Sequence, residues 1–379
     1  MSIVVSEFEI DEAGVATDVE YFNEILKTGV ENGCSDVHIK ANSPATFRIS
    51  TALQSLDFVP TQEWMRNVIK GICPKHLLPG LEADRETDFS YAIHGVGRFR
   101  TNVFQALGRW CIVMRYIKSN PPDLAKLGLP PILSEIAESE RGIILMAGTT
   151  GSGKSTTMAA MLEHVNTMFR KHIVTLEDPI EFVFEENQCI IEQREVTLDT
   201  MTFQRGLKSA LRQDPDIIMV GEMRDAISFK ASINAADTGH MVMSTMHTTN
   251  AASSPGRILE YFPPEERESV RKQLAGTLKA IICQRMCPKI GGGMVPAQEI
   301  FLNSPTMRKA LEEGAFGKIP AIIEGSRDEG MQSFNQCVYN LCQEGIITKE
   351  TALEKATNAQ AVAMMFEGIF LSSGGGITG

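Results

Sequence analysis

Between an apolar run, Gly142-Ile-Ile-Leu-Met-Ala-Gly, and a helix-like stretch from Thr156 to Phe169 lies the segment Gly148-Thr149-Thr150-Gly151-Ser152-Gly153-Lys154-Ser155. Its glycines let successive backbone N–H groups turn toward one phosphate. The start of the helix adds a partial positive charge, and Lys154 supplies a point charge for the outer phosphates. A loop of this kind, set between a strand and a helix, holds a nucleoside triphosphate and is a P-loop. Gly148, Thr149, Thr150, Gly151, Ser152 and Gly153 contribute mainly backbone, followed by Lys154, Ser155 and Thr156. The Ser155 hydroxyl is the expected Mg²⁺ ligand, so ATP and Mg²⁺ are the expected cofactors.

Holding phosphates does not hydrolyse them, and three further segments could. Asp216-Ile-Ile-Met-Val-Gly-Glu222 places a carboxylate just past an apolar strand, expected beside the P-loop strand. Glu222 there can orient or deprotonate the attacking water, or hold Mg²⁺ through water, and Gly221-Glu-Met-Arg-Asp225 adds charge nearby. In Thr175-Leu-Glu177-Asp178-Pro179-Ile-Glu181, the proline bars helix at the preceding residue and sets a turn that aims Glu177 or Asp178 toward the metal. His247, at the far end of Gly239-His240-Met-Val-Met-Ser-Thr-Met-His247, could hydrogen-bond the terminal phosphate or sense it. From spacing alone, a structural histidine is the commoner explanation.

These residues need elements to carry them. At 379 residues the chain has room for two or three domains, each with its own core. Residues 1 to about 118 hold a helix-like segment, Tyr21 to Asn32. They also hold alternating stretches at Asp36-Val-His-Ile-Lys, Ala45-Thr-Phe-Arg-Ile, Asp88-Phe-Ser-Tyr-Ala-Ile, Gly97-Arg-Phe-Arg-Thr-Asn-Val-Phe and Cys111-Ile-Val-Met-Arg-Tyr-Ile. Period-two runs with turn residues between them predict an antiparallel sheet with flanking helices. Ser119-Asn-Pro-Pro-Asp and Leu129-Pro-Pro mark a linker over 119–131. From 132 to 379 helical and strand segments alternate. His172-Ile-Val-Thr-Leu, Asp216-Ile-Ile-Met-Val and His240-Met-Val-Met-Ser-Thr-Met are continuous enough in apolar residues to be central strands of a mostly parallel sheet. After Pro263-Pro264 the pattern predicts a helical part from about 265, ending in a flexible tail, Ser372-Ser-Gly-Gly-Gly-Ile-Thr-Gly.

Composition narrows the partners. A net charge of −11 argues against a general polyanion binder, because nucleic-acid affinity comes mainly from basic surface. The start, MSIVVSEFEIDEAG, has no basic region followed by an apolar core, and no apolar run approaches the roughly 20 residues that span a bilayer. The expected location is therefore cytoplasmic, with no direct membrane span. Eight cysteines in such a chain are expected as reduced thiols. Cys283 and Cys287, or Cys337 and Cys342, lack the spacing of a structural zinc site, so no metal other than Mg²⁺ is expected.

Taken jointly and in this order, the motifs resemble those of the type IV pilus retraction ATPases, the PilT/PilU family within the secretion ATPase superfamily, over nearly the whole length. LEDPIE matches the family's Asp box, GEMRD its atypical Walker B, and TGHMVMSTMHT its His box. The segment Phe203 to Asp216 is similar to the one leading into Walker B. Ser35-Asp-Val-His38 and Gly97-Arg-Phe-Arg-Thr-Asn match stretches of the family's PAS-like domain. Thr306-Met-Arg-Lys-Ala-Leu-Glu-Glu keeps only a fragment of the carboxy-terminal retraction motif, whereas Gly325-Ser-Arg-Asp-Glu-Gly-Met-Gln-Ser-Phe-Asn-Gln336 looks closer to PilU.

The resemblance implies an α/β fold, a RecA-like P-loop ATPase core with an N-terminal PAS-like α+β domain and a helical C-terminal region. It implies a homo-hexamer that hydrolyses ATP to power pilus retraction and twitching motility. The ring would lie at the inner membrane against the pilus machine's platform protein, and a paralogous motor ATPase is a further implied partner. Family arginines that reach the terminal phosphate map onto Arg100 in GRFRTN and Arg115 in VMRY, with Arg98 and Arg109 as nearby substitutes. Three other functions remain open on the residues alone: an accessory or regulatory ring subunit, a secretion or pilus-assembly ATPase, and, with the acidic balance against it, a RecA-like nucleic-acid motor.

Overall fold

The computed structural model describes residues 12–117, 121–371 and 377–378. The extreme amino terminus, Ser119 and Asn120 of the expected linker, and Ser372 to Gly376 of the expected tail lie outside the described residues. The chain divides into two compact units, Met1–Asn120 with Glu181–Val183, and Pro121–Ile180 with Phe184–Gly379.

The amino-terminal unit is an antiparallel six-stranded sheet. Its strands are β1 (Cys34–Lys40), β2 (Thr46–Ile49), β3 (Ala52–Ser55), β4 (Glu86–Ile93), β5 (Gly97–Ala106) and β6 (Arg109–Ile117), in the order β3-β2-β1-β6-β5-β4. Helices α1 (Glu12–Glu31) and α2 (Gln62–Ile72) pack on it, and α3 (Leu78–Asp84) leads into β4. The period-two pattern decides the faces: Phe99, Thr101 and Val103 of β5 are buried, whereas Arg98, Arg100 and Asn102 point the other way. Phe22, Leu26, Met65, Ile69, Trp110 and Ile112 close this core.

The second unit carries a seven-stranded sheet of β7 (Gly142–Ala147), β8 (His172–Glu177), β9 (Ile190–Glu195), β10 (Ile217–Val220), β11 (Met241–Met246), β12 (Leu278–Pro288) and β13 (Met294–Leu302). The order is β13-β12-β7-β11-β10-β8-β9, parallel except for β13. Every residue of β7, β10 and β11 is buried, which is why these strands show as nearly continuous apolar runs. Helices α4 (Ile132–Ala137), α5 (Lys154–Met168), α6 (Phe203–Ala210), α7 (Ala226–Asp237), α8 (Ser254–Glu260) and α9 (Arg267–Thr277) accompany the strands. After β13 come α10 (Pro305–Glu313), α11 (Ile319–Gly325), α12 (Phe334–Gln343), α13 (Lys349–Lys355) and α14 (Ala359–Phe366). No helix among the described residues is long and apolar enough to cross a membrane.

Two expectations are corrected here. The strand leading to Glu222, β10, is not beside the P-loop strand, because β11 inserts between β7 and β10. A parallel crossover can pass over a neighbouring position, so chain order does not dictate strand order. Nor is the chain helical throughout from about 265: the hairpin β12–β13 intervenes before the helices resume. Short apolar runs such as Leu278-Lys-Ala-Ile-Ile-Cys do not separate strand from buried helix by periodicity, and here the open edge of β7 takes the run as a strand.

Candidate nucleotide site

The P-loop leaves the buried tip of β7 and ends in the first turn of α5. Gly153 sits at the helix N-cap with φ of 80°, a left-handed backbone that a side chain would strain. Gly148 has φ of 148°, and a Cβ there would come within 2.6 Å of the Gln284 carbonyl oxygen. Thr149, Thr150 and Gly151 are exposed at the tip, Ser155 and Thr156 half-buried, and Lys154 buried. The Lys154 ammonium donates to the carbonyls of Gly148 at 2.8 Å and Thr149 at 3.0 Å, which holds the loop curled around it. Among the described residues the buried Ser152 hydroxyl has no hydrogen-bond partner. An unpaired buried hydroxyl, a helix N-terminus of 15 residues and a buried ammonium in one curled loop fit a phosphate chain.

Glu222 lies just past β10 in a half-buried position. Its Oε2 accepts from Arg224 Nη2 at 2.6 Å, and its Oε1 is 3.1 Å from His247 Nε2 at the end of β11. Burial pushes this carboxyl up, but the Arg224 hydrogen bond and charge, aided by His247 and Lys154, outweigh it and hold it below the usual glutamate value. The strand tips thus gather Lys154, Glu222, Arg224 and His247. Thr245 Oγ1 donates to the Gly221 carbonyl at 2.7 Å, fixing the segment that carries Glu222.

Glu177 ends β8, the neighbour of β10 on its other side, and is buried. Its Oε1 accepts from Thr175 Oγ1 at 2.7 Å and from Gln193 Nε2 at 3.2 Å. Asp178 is exposed on the following turn, where its charge acts on Arg224. Asp225 is occupied as the N-cap of α7, accepting from Ser228 N at 2.8 Å. Mg²⁺ requires oxygen donors, and the half-buried Ser155 hydroxyl at the start of α5 is chemically of that kind.

In the amino-terminal unit, Arg100 and Arg115 face each other across β5 and β6, and Asp36 of β1 faces Arg115. Arg115 Nε donates to Asp36 Oδ1 at 2.9 Å, whereas Arg100 is exposed and has no ion pair among the described residues. Arg98 is half-buried beside it and Arg109 exposed at the start of β6.

Two residues escaped sequence reasoning. In the sequence Arg224 reads only as charge near Glu222, yet in the fold it holds the carboxylate. Gln284, in the middle of β12, bonds the P-loop at Ser152 and the first turn of α5 at Thr157, and its one sequence signal is a polar residue inside an apolar run. The hairpin also pins the loop after His247, with Arg285 Nη2 donating to the Thr249 carbonyl and Glu299 accepting from Ala251 N at 2.7 Å. The cysteines are free, and burial pushes the Cys337 thiol up to about 12, so it stays protonated.

A P-loop between a buried parallel strand and a helix, with an acid and a histidine at neighbouring strand tips, defines a nucleotide-binding protein of the RecA-like class. The model of the family described as type II/IV secretion system protein matches residues 11–317, and the chain belongs to that family. It is 39% identical over 334 residues to the type IV pilus retraction ATPase PilT of Pseudomonas aeruginosa, covering 88% of this chain and 97% of PilT. Identity to the type IV pilus ATPase PilU of the same organism is 34% over 348 residues, with 91% of each chain covered. The crystal structure of the pilus retraction motor PilT with bound ADP superposes with a TM-score of 0.82 at 38% identity, over 89% of this chain and 97% of that one. Over the matched residues, identity is thus higher to PilT than to PilU.

Proposed function

We propose that this protein is an ATP-hydrolysing motor that powers type IV pilus retraction. The observation that carries the proposal is the meeting of Glu222 with His247 within reach of the Lys154 charge, at the strand tips of a chain spanning 97% of a named retraction ATPase. The P-loop backbone and Lys154 bind and orient the phosphates. Mg²⁺, when bound, neutralises phosphate charge, and Ser155 would hold it, with Glu177 supporting its shell. Ionised Glu222 accepts a hydrogen bond from the attacking water and aligns it. His247 positions that carboxylate and lies where it can respond to the terminal phosphate. Arg100 and Arg115 neutralise charge on the transferred phosphoryl group.

In this proposal the working form is a cytoplasmic homo-hexamer at the inner membrane, acting on the platform protein at the pilus base. The test is phosphate release by the purified protein with ATP, with and without a chelator, together with microscopy of cells lacking it. Mg²⁺-dependent turnover and hyperpiliated, non-twitching cells are expected; bald cells would instead assign it to pilus assembly. The likeness of residues 325–336 to PilU favours a second reading, an accessory ring subunit. Absence of turnover by the isolated protein, restored when a paralogous motor is added, would select it.

A further inference from the structure

Gln284 stands close against two of the loop glycines, Gly148 and Gly153. A Cβ on Gly148 would meet the Gln284 carbonyl oxygen at 2.6 Å, as well as Ser152 Oγ, and a Cβ on Gly153 would meet Gln284 Nε2 at 2.8 Å. The Gln284 amide also spans the loop: Nε2 donates to the Ser152 carbonyl at 2.7 Å, and Oε1 accepts from Thr157 Oγ1 in the first turn of α5 at 2.9 Å. Gln284 is only 2% exposed, so these bonds are not exchanged for water.

The contact continues away from the nucleotide. Gln298, opposite Gln284 in the β12–β13 register and fully buried, donates from Nε2 to Gln284 Oε1 at 2.8 Å. Gln332 Nε2 donates to the Gln298 carbonyl at 2.9 Å, while the Gln332 backbone bridges Ile300. One residue later, Ser333 caps α12 through a capping box with Gln336.

We infer that Gln284 is a positioning residue for the nucleotide, setting the curl of the P-loop, and that Gln298 and Gln332 link this setting to helix α12. The inference rests on nucleotide binding at this P-loop and adds a second end to it. A Gln side chain is suited to the place because it donates and accepts at once: an aliphatic residue would leave the Ser152 carbonyl and the Thr157 hydroxyl unpaired, and a carboxylate would face the carbonyl with no proton. Linkage makes the relation reciprocal, so whatever phosphate binding does to the loop is felt at α12, and restraint at α12 is felt by the phosphates.

The test compares the full-length wild type with Gln284→Leu, Gln284→Glu and Gln298→Leu. Affinity is read with N-methylanthraniloyl-ADP and turnover with Mg-ATP, and folding is checked by circular dichroism. Failure of the wild type to bind or turn over nucleotide overturns the proposed function itself. With an active wild type, Gln298→Leu, which touches no P-loop atom, should weaken binding of the analogue by roughly three- to tenfold, the scale of one lost buried hydrogen bond. It should weaken it no further in the Gln284→Leu background. Gln284→Glu, whose carboxylate cannot donate to the Ser152 carbonyl, should bind the analogue several-fold worse than wild type. In the wild type, nucleotide should slow hydrogen exchange across residues 331–343, and Gln298→Leu should abolish that slowing. Folded Gln284→Glu and Gln298→Leu proteins with wild-type affinity, or exchange at 331–343 indifferent to nucleotide, would overturn the inference even if Gln284→Leu does not fold.

Discussion

His247 Nε2 stands 3.1 Å from Glu222 Oε1, so a histidine at the end of β11 and a carboxylate past the end of β10 share one contact. Arg224 takes the other carboxylate oxygen at 2.6 Å. One oxygen thereby accepts a hydrogen bond from Arg224 and the other lies against the His247 ring nitrogen, which orients the carboxylate and favours its ionised form.

Replacing Glu222 with Gln keeps the shape and removes the charge. The expected outcome is a fall in kcat of about 100-fold or more, with nucleotide affinity within a few-fold of wild type, read by phosphate release and by titration of a fluorescent ADP analogue. Wild-type turnover in this variant would remove Glu222 from the chemistry.

The Glu222 carboxyl lies below its ordinary value chiefly because Arg224 outweighs burial. The ionised form is the working one, so activity is present above the folded-state pKa and is lost as pH falls through it. Arg224→Ala removes the strongest of the influences opposing burial and raises that pKa. The acid limb of the kcat profile should therefore move to higher pH, and an unmoved limb would deny Arg224 this role.

His247→Ala should lower kcat by about 10-fold, the scale of one lost polar contact to the Glu222 carboxylate. The two groups act as one unit, so adding His247→Ala to Glu222→Gln should cost little more. Additive losses in a double-mutant cycle would show independent roles.

Gly153→Ala combines a left-handed backbone with a contact to Gln284 Nε2 at 2.8 Å. It should destabilise the protein by about 1–2 kcal/mol and abolish tight nucleotide binding, as measured by thermal unfolding and nucleotide titration. A variant with unchanged melting and affinity would mean that the loop does not need this curl.

Asp36 offers a separate measurement on the amino-terminal unit, which holds Trp64 and Trp110, the chain's two tryptophans, and so reports its own unfolding by fluorescence. Burial raises the Asp36 carboxyl, but the Ser35 hydrogen bond and Arg115 outweigh it and lower it. Its contribution to stability is therefore present above the ordinary aspartate pKa of about 4 and lost as pH falls through the lowered folded value. The Arg115 side chain is 71% exposed, so the ion pair itself adds little. Asp36→Ala should cost about 1 kcal/mol at pH 7, mainly through the part-buried Ser35 hydrogen bond, and the difference should shrink in acid.

What the sequence determined by itself was local. A P-loop is legible because its glycines, lysine and helix start are contiguous and each has a backbone reason to be there. The buried parallel strands are legible because burial on both faces leaves a nearly continuous apolar run. Only tertiary structure decided that β11 comes between β7 and β10, bringing His247 to Glu222. It also decided that an apolar run after α9 becomes β12, laying Gln284 under the P-loop 131 residues after Gly153. Strand order and cross-sheet hydrogen bonds arise from which edge is open when the chain collapses, and no spacing within a single segment records that.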